Sequence, residues 1–262
     1  MAILTVSYQS GALNKQVTYR AIIPETKRRG EGKTIPSLEL YPTLYLLHGY
    51  TGDQNDWLEY SLIREFAERY EIAVIMPAGE NSFYFDPPIG PRYSTFIGKE
   101  LVEKTRALFP LSHKREDTLL AGFSMGGYGA LLNGILHADT FGFVGSFSGV
   151  VLSASPDVNE GVVKIPIPIL QMLVESGEWK DLPPRLDLLH LLEDTENRKK
   201  PPELFLSVGT EDYLYRENNY LHTYLEKENL SHYYFEGPGE HDWLFWNQVL
   251  PKFLNWYETS KS

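Results

Sequence analysis

The chain has 262 residues, 42% of them hydrophobic and 23% charged, a size and composition that suit one α/β domain with a core large enough to need no metal or disulfide staple. Its formal net charge of −11 repels phosphate backbones and anionic lipid surfaces, so neither nucleic acid nor membrane is expected as a partner. There is no cysteine, which excludes disulfides, thiolate catalysis and Cys-ligated zinc.

Residues 3–8 and 16–23 are rich in Val, Ile, Tyr and Thr and read as an antiparallel edge pair joined by a Gly/Asn turn. Residues 25–42 are polar, with Pro and Gly, and read as a loop. Strand–loop–helix units follow. Thr43–Leu47 is a short apolar run suited to a strand buried on both faces. Residues 55–69 have helical spacing, 72–76 read as a second buried strand, and 94–108 as a helix. Thr118–Ala121 is the third buried strand, followed after a glycine-rich turn by a helix to about residue 137. Strands are expected at 143–147, 203–208 and 231–235, with helices at 215–229 and 242–258. This alternation predicts a mostly parallel sheet covered on both sides.

The stretch 150–200 breaks the rhythm. It carries Pro166, Pro168, Pro183 and Pro184 beside apolar Ile167, Ile169, Leu170, Met172 and Leu173, and reads as an insertion that forms a lid or pocket wall. The domain expected is therefore 1–262, with a cap at about 150–200; apolar patches in 150–175 are compatible with a homo-oligomer. No apolar run of about 18 residues and no basic leader is seen, so the expected location is cytoplasmic.

Gly122-Phe123-Ser124-Met125-Gly126 matches the Gly-x-Ser-x-Gly pattern of a nucleophile elbow. The preceding strand and following helix give the short pattern its weight. The turn must be tight enough to hold the Ser124 hydroxyl clear of the backbone, and that crowding calls for glycine on both sides. A serine hydroxyl attacks well only if a base takes its proton. Of seven histidines, His241 is the best placed, in the Gly237-Pro238-Gly239-Glu240 loop between the last strand and the last helix. His190, His222 and His232 read as structural or exposed. The orienting acid is expected after the strand at 203–208, where Asp212 is preferred over Glu211; Asp242 reads as a starter of the final helix.

Ester cleavage also needs N–H donors for a developing oxyanion. One is expected from Met125 and the other from Tyr50, or less favourably Thr51, in the loop His48-Gly49-Tyr50-Thr51-Gly52. Gly49 lets the backbone approach substrate, His48 props the loop, and Trp57 reads equally as a cap on the pocket or as an aromatic of the helix core. No His-x-x-x-His or paired acidic cluster stands at ligand spacing, so neither metal nor cofactor is expected.

Taken together, His48–Gly52, Asn55–Trp57, Ala121–Gly129, Gly209–Tyr215 and Gly239–Trp243 resemble the esterase D family of α/β-hydrolases, and within it the bacterial tributyrin esterase branch. The resemblance implies the α/β-hydrolase fold and a serine carboxylesterase acting on short-chain acyl esters, sometimes acetyl or feruloyl esters of plant polysaccharides. It carries over Ser124 as nucleophile, Asp212 as acid, His241 as base, and Tyr50 and Met125 as oxyanion donors. Feruloyl esterases, S-formylglutathione hydrolases and mycolyltransferases share the scaffold. The formylglutathione branch typically has a cysteine near the first loop, and this chain has none. Acyl transfer to an alcohol uses the same acyl-enzyme. A binding protein on a hydrolase scaffold is disfavoured because Ser, His and the loop glycines are all present.

Overall fold

The computed structural model describes residues 1–24, 40–155, 158, 173–174, 178–194 and 199–261. Eight strands form one sheet: β1 (Ala2–Ser10), β2 (Lys15–Ile23), β3 (Thr43–Leu47), β4 (Ala73–Pro77), β5 (Thr118–Phe123), β6 (Phe143–Phe147), β7 (Glu203–Gly209) and β8 (Tyr233–Gly237). Their order is β1-β2-β4-β3-β5-β6-β7-β8. β1 pairs antiparallel with β2, and β2 antiparallel with β4; every pairing from β4 to β8 is parallel. β3, β4, β5 and β6 are buried at every position, as continuous apolar runs require.

Alternation along each strand sorts the core into two layers. Leu44 and Leu46 of β3 face the same side as Leu119, Ala121 and Phe123 of β5. Three helices cover that side: α1 (Asp56–Tyr60), α2 (Ile63–Arg69) and, through Phe245, Val249, Phe253 and Leu254, the last helix Trp243–Ser260. Tyr45, Leu47 and Leu120 face the other side. That side is covered by the helical run of α3 (Tyr93–Thr95), a π-helical turn (Phe96–Glu100) and α4 (Leu101–Leu108), by α5 (Met125–Leu136) and α6 (Leu188–Glu193), and by α7 (Tyr215–Lys227). The last helix, Trp243–Ser260, is α8.

Two predicted elements differ in detail. The helix expected over 55–69 is divided into α1 and α2, because the Ser61 hydroxyl donates to the Trp57 carbonyl at 2.5 Å and accepts from the Ile63 N–H at 3.2 Å. The last strand begins at Tyr233 rather than 231: the His232 ring bonds to the Leu230 carbonyl and to His222, and 230–232 lie outside the strand.

Of the expected cap, the described part packs down rather than away. Leu173, Val174, Leu182 and Leu186 are buried in the α5 side of the core. Tyr128 of α5 donates its hydroxyl to the Leu186 carbonyl at 2.9 Å. Residues 25–39 of the first expected loop, and Pro166 to Met172 of the cap, lie outside the described residues. Among the described residues, no helix is long and apolar enough to cross a membrane.

Candidate active site

The C-terminal ends of the parallel strands all open on one edge of the sheet, and the loops leaving β3, β5, β7 and β8 carry the residues singled out from the sequence. Ser124 stands alone between the end of β5 and the start of α5. Its backbone has φ 55° and ψ −120°, a strained conformation for a side chain-bearing residue. Hydrogen bonds hold it there. Ser124 N–H donates to Phe147 O at 3.0 Å, and its carbonyl accepts from Gly127, Tyr128 and Val150. The glycine requirement is steric. A Cβ on Gly122 would sit 2.5 Å from the Gly126 carbonyl oxygen, and one on Gly126 2.6 Å from the His48 carbonyl oxygen. Ser124 keeps 9% of its surface exposed.

Beside it lies the loop after β3. The Thr51 N–H donates to Asn81 Oδ1 at 2.8 Å, so this weaker oxyanion candidate is engaged elsewhere. Among the described residues, the N–H groups of Tyr50 and Met125 have no protein acceptor. Gly49 is buried under the Phe123 ring, where a Cβ would come within 2.3 Å of it. His48 ties two loops together: Nδ1–H donates to Gly49 O at 2.8 Å and Nε2 accepts from Gly79 N–H at 2.8 Å. Burial lowers its pKa and keeps the ring neutral. The Tyr84 hydroxyl, also buried, donates to the His48 carbonyl at 2.9 Å.

Trp57 takes the second of its two expected places. It is 1% exposed, its indole N–H donates to Leu47 O at 3.0 Å, and its ring packs edge-on against Phe123, Phe147 and Trp243. It is a core residue beneath the site and does not cap a pocket. Helical spacing put its side chain on the apolar stripe of α1, and that stripe faces the sheet.

Asp212 and His241 meet across the loops after β7 and β8. His241 Nδ1 lies 3.0 Å from Asp212 Oδ1 and 2.9 Å from Oδ2. The Asp212 carboxylate is buried and also accepts from the Leu214 N–H at 2.8 Å. With Nδ1–H donating to the acid, Nε2 is left as the acceptor nitrogen. Glu211 does not approach the imidazole. Its carboxylate accepts from the Gly239 N–H at 2.5 Å, and that bond holds its pKa down. It pins the loop that carries His241. Asp242 caps α8, accepting from Phe245 N–H at 2.9 Å. His222 and His232 bond each other at 2.8 Å, and His190 is exposed on α6.

Aromatic rings link His241 to the turn at Ser124. Trp246 of α8 lies edge-on to His241 at 5.1 Å and stacks on Phe123, the residue before Ser124, at 4.1 Å. Its indole N–H donates to Ser148 Oγ at 3.2 Å. Tyr213 covers another side of His241, with ring centroids 4.5 Å apart. Sequence reasoning missed Trp246, because the packing of a helix-borne indole on a loop histidine leaves no local pattern.

A mostly parallel eight-stranded sheet with helices on both faces and these loops at its carboxyl edge defines an α/β-hydrolase fold. The chain belongs to the esterase family whose model carries the description "Putative esterase", matched over residues 10–257, and it is a carboxylic ester hydrolase. It is 34% identical over 266 residues to an acetyl esterase of Caldicellulosiruptor saccharolyticus, covering 98% of each chain. Its fold superposes on FphF, a fluorophosphonate-binding serine hydrolase of Staphylococcus aureus, with a TM-score of 0.84, 28% identity and 98% of each chain covered. S-formylglutathione hydrolase FrmB of the same organism gives a TM-score of 0.83, also at 28% identity and 98% of each chain.

Proposed function

We propose that the protein is a serine carboxylesterase for short-chain acyl esters, acetyl to butyryl, with Ser124 as nucleophile, His241 as general base and Asp212 as the orienting acid. The observation that carries this reading is the Asp212–His241 pair at 2.9 Å, which leaves Nε2 as the acceptor nitrogen, on the same sheet edge as a serine held at φ 55°. In the first step His241 Nε2 takes the Ser124 hydroxyl proton as Oγ attacks the ester carbonyl. The N–H groups of Tyr50 and Met125 stabilise the tetrahedral oxyanion. The alcohol leaves with the proton from His241. Water, deprotonated by the same imidazole, then cleaves the acyl-enzyme. The acetyl esterase relative supports the short acyl chain.

The test is hydrolysis of a p-nitrophenyl ester series from acetate to octanoate, with methyl ferulate alongside, by wild type and by Ser124→Ala. The expected result is a preference for acetate to butyrate and a loss of turnover in Ser124→Ala of about 10⁵-fold or more. Substantial turnover in Ser124→Ala overturns the nucleophile. Strong ferulate turnover shifts the substrate class to cinnamoyl esters. A second reading, cleavage of the thioester S-formylglutathione, is favoured by the likeness to FrmB; including that thioester in the same series decides between them.

A further inference from the structure

His241 is held between two aromatic rings of opposite character. Trp246 is buried, hydrogen-bonded through its indole N–H and stacked on Phe123, so it belongs to the protein side of the imidazole. Tyr213 packs at 4.5 Å from the same imidazole but leaves 64% of its own surface exposed. It directly follows Asp212, so the loop that delivers the acid also delivers this ring. A large exposed aromatic side chain packed against the proposed base is available to whatever molecule that base serves.

The chemistry says which part of the ester that is. In ester cleavage the imidazolium gives its proton to the departing alkoxide, so the alcohol oxygen must lie within hydrogen-bond reach of His241. The acyl oxygen lies instead toward Tyr50 and Met125. Of the two rings against His241, the exposed Tyr213 and not the buried Trp246 is therefore available to the alcohol side of a bound ester. We infer that Tyr213 is a specificity residue for the alcohol moiety, offering its ring to a leaving group with a flat apolar face, such as an aryl or pyranose ring. The inference rests on the Ser124–His241–Asp212 reading and adds to it the part of the substrate that Tyr213 selects.

The test separates contact with the alcohol from support of the base. Acylation depends on the alcohol, whereas deacylation of the acetyl-enzyme does not, because the alcohol has already left. His241 serves both steps. Wild type, Tyr213→Ala and Tyr213→Phe are compared on phenyl acetate and ethyl acetate, with deacetylation followed by pre-steady-state burst. For Tyr213→Ala, kcat/KM for phenyl acetate should fall about three- to tenfold, the range of one aromatic contact. For ethyl acetate it should change less than about twofold. Deacetylation should be unchanged, and Tyr213→Phe should behave as wild type. An equal fall for both alcohols, or slowed deacetylation, would make Tyr213 a prop for His241 and overturn the inference, as would no change on either ester. Fluorophosphonate labelling of all three proteins checks the underlying reading separately: wild type that fails to label at Ser124 overturns the catalytic reading itself.

Discussion

The two halves of the site are held by different means. On the side of β3 and β5 the restraint is backbone. Ser124 is fixed by main-chain hydrogen bonds to Phe147, Gly127, Tyr128 and Val150, and Gly122 and Gly126 leave no room for a Cβ. On the side of β7 and β8 the restraint is side chain. His241 is oriented by the Asp212 carboxylate and by the rings of Trp246 and Tyr213, and its loop is pinned by Glu211. Backbone packing has no cheap relaxation, whereas a side-chain contact can be removed and leave the scaffold standing. The first half should therefore fail by losing structure, and the second by losing chemistry.

The largest expected effect that sharpens this contrast lies on the side-chain half. Asp212→Asn keeps the shape of the acid but no longer fixes Nδ1 as the protonated nitrogen, so Nε2 is no longer reserved as the base. Turnover should fall about 10³- to 10⁴-fold while the melting temperature stays close to wild type. More than a tenth of wild-type activity in that variant would break the assignment of Asp212. Gly126→Ala is the counterpart on the backbone half. Its new methyl would meet the His48 carbonyl oxygen at 2.6 Å and the Leu47 carbonyl oxygen at 2.7 Å, neither of which can rotate away. Overpacking of this kind costs about 1–3 kcal/mol. The melting temperature should drop by about 2–4 °C for each kcal/mol. Calorimetry showing an unchanged transition would refute the idea that this half is sterically locked.

The same division explains what could be read from the sequence. Backbone demands leave local signatures: Gly122-x-Ser124-x-Gly126 after an apolar run and before a helical pattern located the elbow, and buried strands such as Thr43–Leu47 were visible as unbroken apolar runs. The positions of Asp212 and His241 followed from chain order and from the loops after β7 and β8. Side-chain packing leaves no such trace. Trp246 sits on an apolar stripe of α8 like its neighbours Phe245 and Val249, and only the three-dimensional approach of the β8 loop shows its ring against His241. Trp57 illustrates the converse. A tryptophan shortly after a glycine-rich loop left a pocket cap and a helix-core position equally open, and its indole bond to the Leu47 carbonyl and its packing on Phe123 and Phe147 settle it as core. The position of Tyr50 in the loop already favoured it over Thr51, and the Asn81 side chain that takes up the Thr51 N–H adds a physical reason that the sequence does not display.

His48 is where the backbone half depends on a side chain, and it gives that half a pH dependence. Its Nε2 accepts from Gly79 N–H, so protonation would set a donor against a donor in a buried site. Burial lowers the folded pKa below the usual 6.5, and His137 is lowered as well, first by burial and then by Lys99. Between the folded and unfolded values the unfolded chain binds the extra proton, so stability falls as pH falls. It is complete above pH 6.5 and declines below it, by at most about 1.4 kcal/mol per pH unit for each histidine. Melting temperatures measured from pH 8 down to pH 5 should therefore drop below pH 6.5 in wild type. In His48→Asn they should drop less steeply, with the contribution of His137 remaining. An identical pH slope in the two proteins would mean that His48 already carries its proton in the fold. The bridge from the β3 loop to Gly79 would then be held by something other than a neutral imidazole.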